Sequence, residues 1–414
     1  MTKLVPSLVC FLAAFSTQVL GGSRAWESVL THQALHTRHE AAIPIPVDAA
    51  GYAISSLGND TRHDSELEKR WLGIVAGQSS MYLWPDSTIS YCFDSTASRD
   101  KIFKYLDRAI QSWITAGLSR EVYKYKEVVK PGTACTGHAQ RDAILVISHN
   151  ELGLLQTTVG IWSLDPQKPD YVGPTMELST RDDIHHLNVV ANFAHEMGHA
   201  WGLYHEHQNP KFWGPPYGGQ YDAALAGTVF GTNFDCSALR DYHVARERIA
   251  TKNAGDPTRI ALHQAQMCTN INVANTYRFS ATDWLPIVSN YKCSKSVPYT
   301  RAGYEHVDWD SIMLYPSGAG GIGSARPPTG PDENPDAYDQ RTPVLRRNDG
   351  AKIVSNTVPS AGDVAGIREL YDSSAVYYQT HGKGLQLIND KKHKRFTDFM
   401  KDFSLKKKKS CNLN

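Results

Sequence analysis

The 414-residue chain has almost no excess of charge of either sign. It carries 43 lysine and arginine residues against 42 aspartate and glutamate residues, for a formal net charge of +1. A protein whose net charge is so close to zero lacks the general positive charge that favours binding to nucleic acid or to an anionic membrane. Lysine is concentrated only near the C-terminus, in KKHKRF and KKKKSCNLN, and runs of this kind are mostly solvated tails.

Long apolar runs are equally scarce. Residues 4–20 form the one sustained run, which is slightly short for a membrane span and is interrupted by Pro6. Lys3 precedes it and the small residues GGS follow it, a layout that favours a cleaved export signal over residues 1–22 rather than a membrane anchor. No later stretch could cross a bilayer, so we expect a secreted, extracellular protein without a transmembrane anchor.

Cysteine is sparse as well, with seven residues in the chain. Removal of the export signal would take Cys10 with it and leave six, an even number that predicts disulfides in an exported chain. The sequence does not choose among the many pairings that six cysteines allow. Cys236, Cys268 and Cys293 fall in one region, where we expect some of the pairing.

Polar sequence with little periodicity occupies residues 23–70. It contains the glycosylation sequon at residues 59–61 and ends in the dibasic pair Lys69-Arg70, of the kind that kexin-like proteases cut in secretory pathways. Its place, between an irregular leader and the first patterned strand, predicts a pro-segment that a kexin-like protease removes. We expect a folded domain at residues 71–372 and a basic C-terminal tail at residues 373–414.

Secondary-structure patterns begin after Trp71. TISYCFD alternates as a strand does, SRDKIFKYLDRAIQSWITAG has apolar residues at helical spacing, and DAILVISHN and GPTMELST indicate further strands. LNVVANFAHEMGHAWGL predicts a helix that begins near Asn188 and is broken at Gly202. This order of strands and helices predicts an α+β fold.

The stretch HEMGHAWGLYHEHQ, at residues 195–208, contains the candidate metal ligands. His195 and His199 are four residues apart on the predicted helix, so both rings lie on one face and can reach one ion. Glu196 lies beside the first ligand, and the turn that Gly202 permits lets His205 return as a third. Three histidines and a water are an open, catalytic arrangement around one Zn²⁺ ion rather than a closed structural one.

The remaining histidines do not have this spacing. A bare H-E-x-x-H is common enough by chance, but the extended pattern with Gly202 and His205 is far rarer. We therefore assign the metal to the extended pattern and interpret the other histidines of interest as structural or solvent-exposed: His185, His186, His207, His243, His263 and His306.

A second motif, SIMLY at residues 311–315, lies well downstream. With it, the sequence resembles the metzincin zinc endopeptidases and, within them, the astacin family: the helix matches HExxHxxGxxHE, with Glu206 after the third histidine, and SIMLY matches the Met-turn SxMxY. WPDSTISYCFD and SAGDVAGIRELY also look like the beginning and the end of an astacin catalytic domain. The resemblance covers about residues 71–372 and is strongest at the two zinc-site motifs.

The resemblance implies a metzincin-type fold of two parts. A mixed sheet and the zinc-binding helix would form the upper part, at residues 71–202, and an irregular lower part at residues 203–372 would lie below the cleft. Met313 would be the hydrophobic floor beneath the zinc, and Tyr315 a fifth ligand that swings away to donate a hydrogen bond to the reaction intermediate. Glu196 would be the general base and acid in the hydrolysis of protein or peptide substrates.

The resemblance also implies synthesis as a zymogen, with the chain's own pro-segment as inhibitor. Astacin pro-segments place an aspartate of FxGD on the zinc; here LGND offers Asp60. Glu206 would bind the new N-terminus, at Trp71 or a trimmed neighbour. The sequence departs from the family after HEHQ, where it continues NPKFWGPPYGG, and in a long cysteine-containing insertion at about residues 214–300. Substrate preference is therefore not carried over.

Three other interpretations stay open. One is a catalytically silent, astacin-like protein that serves in binding or adhesion, against which the intact Glu196 argues. Another is a protein that binds polyanions through its basic tail and whose zinc is structural, which four protein ligands and no water would reveal. The third is another metzincin branch, such as the serralysin-like proteases, against which Glu206 argues.

Overall fold

The computed structural model describes residues 20–21, 72–74, 81–129, 135, 144–162, 173–217, 229–287, 291–293, 303–326 and 335–381. The predicted export signal, except for its residues 20–21, lies outside the described residues. So do the predicted pro-segment with Asp60, Lys69 and Arg70, the new N-terminus at Trp71, and the lysine-rich tail.

A six-stranded mixed sheet forms the upper part of the molecule. Its spatial order is β1-β7-β9-β6-β4-β5, where the strands are β1 (Leu20–Gly21), β4 (Thr88–Phe93), β5 (Lys124–Glu127), β6 (Leu145–Asn150), β7 (Gln156–Thr158) and β9 (Thr175–Ser179). β5, β4, β6 and β9 run parallel to one another, whereas β7 is antiparallel to β9 and β1 is antiparallel to β7. Parallel neighbours need a crossover, and helix α1 (Thr96–Thr115) supplies the one between β4 and β5.

Two short ribbons flank this sheet. β2 (Leu72–Ile74) pairs antiparallel with β10 (Tyr291–Cys293), and β3 (Met81–Tyr82) pairs antiparallel with β8 (Ile161–Trp162). β2 also lies against the chain after the metal-site helix, where Gly73 bridges to Leu203. The start of the folded domain is thereby fixed next to the predicted metal site.

Helix α1 packs against α2 (Val189–Trp201) over one face of the sheet. Among the six apolar residues at helical spacing in α1, Ile102, Leu106, Ala109 and Trp113 are buried, whereas Phe103 and Ile110 are partly buried against the same core. The Trp113 indole Nε1–H donates to the carbonyl oxygen of Ala194 at 2.9 Å. Because this bond satisfies a buried polar group, the two helices are held in register as well as packed.

The lower part has its own apolar core and contains three short helices, α3 (Tyr242–Lys252), α4 (Pro257–Gln266) and α5 (Ile271–Thr276). A disulfide joins Cys236 to Cys268 across this region, and a second joins Cys92 to Cys135 in the upper part. The expectation of disulfides, one of them within the insertion, is confirmed.

Helix α6 (Ala361–His381) returns the chain to the upper part and extends nine residues past the predicted domain end at 372. Val364, Ile367 and Leu370 are buried in the upper core, and the Tyr371 hydroxyl accepts a hydrogen bond from the backbone N–H of Trp84 at 3.2 Å. The predicted α+β fold, with a mixed sheet and the zinc-motif helix above a less regular lower half, is confirmed. No helix in the described part of the chain is long and apolar enough to span a membrane.

Candidate metal centre

Helix α2 places the first two motif histidines. It begins after Asn188, whose side-chain oxygen accepts a hydrogen bond from the backbone N–H of Ala191 at 3.0 Å, as a helix N-cap does. It ends at Gly202, which has φ 106°, a left-handed conformation that glycine adopts without steric cost. The predicted beginning and end of this helix are both confirmed, and the turn sends the chain back toward the helix.

Three imidazole rings converge at the C-terminal end of α2. The Nε2 atom of His199 lies 3.0 Å from Nε2 of His195 and 3.0 Å from Nε2 of His205. All three side chains are 2 % exposed or less, and their nitrogens form a group that can hold a metal ion. The return of His205 after Gly202, which the motif spacing predicts, is therefore present in the structure.

Each of the three rings is oriented by an oxygen atom at its other nitrogen. Nδ1 of His195 lies 2.7 Å from the carbonyl oxygen of Ile312, and Nδ1 of His199 lies 2.8 Å from the carbonyl oxygen of Leu203. Nδ1 of His205 lies 2.8 Å from Oε1 of Gln208. These oxygens only accept, so each Nδ1 carries the proton and each Nε2 presents its lone pair to the shared centre.

This donor set fits zinc. Nitrogen lone pairs 3.0 Å apart, as on His199 and each of the other two rings, repel one another without a cation. Nitrogens bound tetrahedrally at 2.0–2.1 Å from zinc lie about 3.3 Å apart, close to this spacing. Burial lowers the pKa of His199 to about 4, and burial together with neighbouring histidines lowers the pKa of His195 and of His205 well below 6.5. The rings are therefore neutral and able to ligate near neutral pH.

Met313 lies against α2 at Gly198, between the two helical histidines. A Cβ atom on Gly198 would overlap Met313 Sδ and would lie 3.2 Å from Trp113 Cζ2. Only glycine leaves room for the thioether at this point of the helix. This contact places Met313 against the helix that carries His195 and His199, and its role as the floor beneath a zinc ion stays a prediction.

The Asp363 carboxylate anchors the turn that contains Met313. It accepts hydrogen bonds from the Ser311 hydroxyl at 2.6 Å, from the Ile312 backbone N–H at 2.9 Å and from the Ser360 backbone N–H at 2.8 Å. The carbonyl of the same Ile312 orients His195. A continuous path therefore runs from the start of α6, through the turn, to the first metal-site histidine.

We expect Asp363→Ala to lower the free energy of unfolding by about 3 kcal/mol, since it leaves buried donors unpaired and a hydrogen bond to a charged group contributes about 1.5–3 kcal/mol. Urea unfolding would measure the change. The exposed Asp349, which accepts one hydrogen bond from Ala351 N–H at 2.9 Å, offers the matched Asp349→Ala control. A loss no larger than that of the control would contradict the anchoring role.

Asp308 faces Asp363 across this anchor, and the pair makes stability depend on pH. Burial, followed by the negative charge of Asp363, raises the pKa of Asp308 from 3.8 to about 7. A carboxyl whose pKa is raised by folding stabilises the fold when protonated, so this contribution is present below about pH 4 and is lost as the pH rises to about 7.

We expect Asp308→Asn to gain stability relative to the unmodified chain as the pH rises from about 4 to about 7. The difference in free energy of unfolding between the two chains should widen by at most about 1.4 kcal/mol per pH unit, the free energy equivalent of one unit of pKa. Thermal unfolding of both chains across that range would measure it. A gap that stays constant with pH would show that Asp308 does not titrate in this range.

Glu196 follows the first metal-site histidine on α2 and is fully buried. Neither of its carboxylate oxygens has a hydrogen-bond partner among the described residues. Burial raises the pKa of Glu196 well above 4.5. The Thr157 hydroxyl, which faces the carboxylate outside hydrogen-bond geometry, opposes this rise, and the negative charge of Asp283 adds to it. A buried carboxyl that is not engaged by the protein is available to exchange protons with a bound water or substrate.

Tyr315 borders the three rings on the side of His205. Its ring centroid lies 4.2 Å from that of His205 and 5.6 Å from that of His195, and the side chain is buried. Trp284 packs edge-on against it at 5.1 Å. The structure therefore brings Tyr315 to the edge of the predicted metal centre.

The insertion supplies part of the wall around the centre. Gln208, which orients His205, donates from Nε2 to the carbonyl oxygens of Thr282 at 3.0 Å and of Leu285 at 3.1 Å. Nε2 of His207 lies 2.9 Å from the carbonyl oxygen of Asp283. Sequence reasoning assigned no role to residues 280–287, because they match no motif; they lie directly behind a metal-site histidine.

Glu206 is buried beside the turn that carries Met313. Its backbone N–H donates to the Met313 carbonyl oxygen at 3.0 Å, and its carboxylate accepts from the Asp308 backbone N–H at 3.3 Å. Two residues earlier, Tyr204 N–H donates to the Leu72 carbonyl oxygen at 2.8 Å. Leu72, the first described residue after the predicted pro-segment, is thus hydrogen-bonded to a residue that stands two positions before Glu206.

The other histidines fall into two groups. His243, His263 and His306 lie away from the centre, and His207 is buried between Asp283 and Tyr315 as a structural residue. His185 and His186 are different, because both are buried and their rings lie 4.4 Å and 5.5 Å from that of His195. The motif spacing did not reveal their position, which depends on contacts with distant parts of the chain.

The fold and the three rings together define an α+β protein with a buried group of three histidines that can hold a metal ion. No known family model matches the sequence, and no curated protein matches it. Among solved structures, the chain is similar to high choriolytic enzyme 1 (HCE-1), a hatching enzyme zinc-protease from Oryzias latipes, the medaka fish, with 14 % identity and a TM-score of 0.37. The match covers 72 % of this chain and 98 % of that one. At this TM-score the likeness carries no argument, and the interpretation depends on the geometry of the site.

Proposed function

We propose that the chain is a secreted zinc endopeptidase, made as a zymogen, that hydrolyses peptide bonds in protein substrates. One arrangement supports this proposal: three histidine Nε2 atoms converge, and the buried carboxylate of Glu196 follows the first of them on the same helix. Three protein nitrogens leave a coordination position for water or substrate, which is typical of catalytic rather than structural zinc. Two disulfides suit an exported protein.

His195, His199 and His205 would hold the zinc ion through Nε2. When bound, zinc supplies Lewis acidity, which lowers the pKa of water toward neutrality and polarises a carbonyl group. The carbonyl oxygens of Ile312 and Leu203, with Oε1 of Gln208, keep the rings in the tautomer that this binding needs.

Glu196 would move the proton. Its carboxylate accepts a proton from water as the water oxygen bonds to the peptide carbonyl carbon, and it then delivers that proton to the amine nitrogen as the carbon–nitrogen bond breaks. A pKa raised by burial suits the first step, because it makes the carboxylate a stronger base toward the proton of water. Tyr315, beside His205, would donate a hydrogen bond to the carbonyl oxygen as negative charge develops on it.

The substrate would bind as an extended strand along β7. In the full chain this edge pairs with β1, through Leu20 opposite Thr158 and Gly21 opposite Thr157. Removal of residues 1–22 with the export signal would leave the same edge for another extended peptide, since an edge strand presents unpaired N–H and C=O groups. Thr157 faces Glu196, so a peptide on this edge would pass close to the proton-transfer group.

Activation would follow from cleavage after Arg70 by a kexin-like protease that reads Lys69-Arg70. The pro-segment would keep the enzyme latent until then, with Asp60 as its zinc-directed residue. The pairing of Leu72 with Tyr204 supports the proposal that the new N-terminus at Trp71 binds Glu206, because it brings the start of the domain to this part of the chain.

The test is cleavage of an unstructured protein by the purified chain processed after Arg70, with zinc counted in the same sample. The proposal expects proteolysis with about one tightly bound zinc per chain, lost on chelation and restored by zinc. Bound zinc without cleavage of several unstructured substrates, in a chain shown to be processed, would favour the binding or adhesion protein instead.

A further inference from the structure

A second group of three histidines lies beside the first. The ring nitrogens of His185, His186 and His195 are close enough to one another to hold a metal ion, and all three side chains are fully buried. His195 also belongs to the first group. The proposed peptidase activity makes no use of His185 or His186, so this second group needs its own explanation.

The backbone before α2 has an unusual conformation next to both rings. His185 has φ 49° and Leu187 has φ 56°, left-handed conformations that non-glycine residues adopt only at a cost of about 1 kcal/mol or more each. Two hydrogen bonds hold this segment of backbone. Arg341 Nη2 donates to the His185 carbonyl oxygen at 3.0 Å, and the His186 N–H donates to Oδ1 of Asn192 at 3.0 Å. As a result the rings of two adjacent residues lie 4.2 Å apart.

Hydrogen bonding fixes the tautomer of His186. Its Nε2 lies 3.0 Å from the carbonyl oxygen of Ile312, the same atom that His195 Nδ1 approaches at 2.7 Å. Since a carbonyl oxygen only accepts, Nε2 of His186 carries the proton and Nδ1 carries the lone pair. Nδ1 is buried and has no hydrogen-bond partner among the described residues, an unusual state for a buried polar atom.

We propose that His185, His186 and His195 form a second site for a transition-metal ion, weaker than the first and filled only when the metal is in excess. Three imidazole nitrogens without a carboxylate or thiolate suit Zn²⁺ or Cu²⁺ and do not suit Mg²⁺ or Ca²⁺. A neutral imidazole has one lone pair, so His195 serves one ion at a time. Binding of the second ion therefore takes His195 from the first ion, which is then held by His199 and His205 alone, and opposes whatever the first ion does.

The test is zinc uptake by the full chain in equilibrium dialysis against rising free Zn²⁺, with bound zinc counted by elemental analysis. His186→Gln is the main variant, because the glutamine amide can keep the hydrogen bond to the Ile312 carbonyl while the Nδ1 lone pair is lost. His185→Phe keeps a ring of similar shape without nitrogens. His263→Gln, on α4 and hydrogen-bonded to Tyr277, controls for zinc that binds remote histidines.

We expect one tight and one weaker zinc in the unmodified chain and in His263→Gln. In His186→Gln and His185→Phe the tight zinc should remain, and its presence would also show that the variants fold. The weaker zinc should bind on the order of 100-fold less tightly or be lost. A single zinc in the unmodified chain, or an equal second zinc in both variants, would overturn the proposal.

Zinc counts decide this question without any enzyme assay, so the second site and the proposed peptidase can fail separately. If the chain is a peptidase, excess zinc should inhibit it over the range that fills the second site, and His186→Gln should resist this inhibition. Inhibition that is equal in both chains would contradict the competition for His195.

Discussion

Glu196→Gln is expected to lower the rate of proteolysis by on the order of 10³-fold while the chain keeps its zinc, because a positioned general base contributes about 10²–10⁴-fold and this one serves both proton transfers. Glutamine preserves the shape of the side chain but cannot accept a proton. The three zinc-directed nitrogens are oriented by Ile312, Leu203 and Gln208 rather than by Glu196, so metal binding should be unaffected. Initial rates on an unstructured protein substrate, with zinc counted in the same sample, would measure both effects.

The same substitution should stabilise the zinc-free chain. The Glu196 carboxylate is buried without a hydrogen-bond partner among the described residues, and burial raises its pKa well above 4.5. Folding therefore opposes its ionisation, whereas a glutamine amide in the same place is a buried polar group that carries no charge. Higher thermal stability together with lost activity is the signature of a group kept for chemistry rather than for folding.

Glu177→Gln is the matched control for both measurements. Glu177 lies on β9, and burial raises its pKa as well, but it is not adjacent to a metal-site histidine in the sequence. We expect its activity to stay within a few-fold of the unmodified chain. Full activity in Glu196→Gln would remove Glu196 from the mechanism and would return the choice to a binding protein or a differently arranged enzyme.

The sequence predicts helix α2 and its two histidines well, because every residue pattern that indicates them is local. Asn188 caps one end, Gly202 ends the other, and the four-residue spacing of His195 and His199 follows from the helical repeat. The return of His205 needs only the left-handed turn at Gly202. These features depend on residues within one or two helical turns of one another, so no knowledge of the tertiary fold is required.

Other parts of the site depend on contacts between distant residues. Asp363 reaches the turn at Ser311 and Ile312 from about fifty positions away, and Arg341 holds His185 from more than 150 positions away. The two residues with a left-handed backbone, His185 and Leu187, are neither glycine nor asparagine, so the local sequence gives little signal for this conformation. The sequence therefore predicts a structural or exposed histidine pair, and the structure places the pair against His195.

The insertion shows a third kind of limit. Residues 280–287 have no periodicity that predicts a helix or strand, yet their carbonyl groups hold Gln208 and His207 behind the three rings. Backbone carbonyls are the same for every residue type, so a site that uses them leaves no trace in the sequence. For the same reason the support of His195 by Ile312 and of His199 by Leu203 could not be predicted from residue identity.

Metal binding gives the second large expected effect, which His199→Ala isolates. Nε2 of His199 is 3.0 Å from Nε2 of both other rings, so its loss leaves two ligands. We expect the zinc dissociation constant to rise at least 100-fold, because loss of a hydrogen bond that merely orients a ligand already weakens metal affinity about 10–100-fold. At a zinc concentration 100 times the dissociation constant of the unmodified chain, zinc should stabilise that chain by about 2.7 kcal/mol and the variant by only about 0.4 kcal/mol.

Thermal unfolding with and without zinc would measure that difference, and proteolysis should be lost in parallel. His207→Gln is the appropriate control, because His207 is equally buried, lies two residues from a ligand, and bonds through Nε2 to the Asp283 carbonyl oxygen, a bond that glutamine can keep. A zinc affinity in His207→Gln that falls as far as in His199→Ala would mean that the site responds to any disturbance of the buried cluster. A fall confined to His199→Ala would identify His199 as a ligand, since the two variants differ in whether the lost nitrogen faces the other rings.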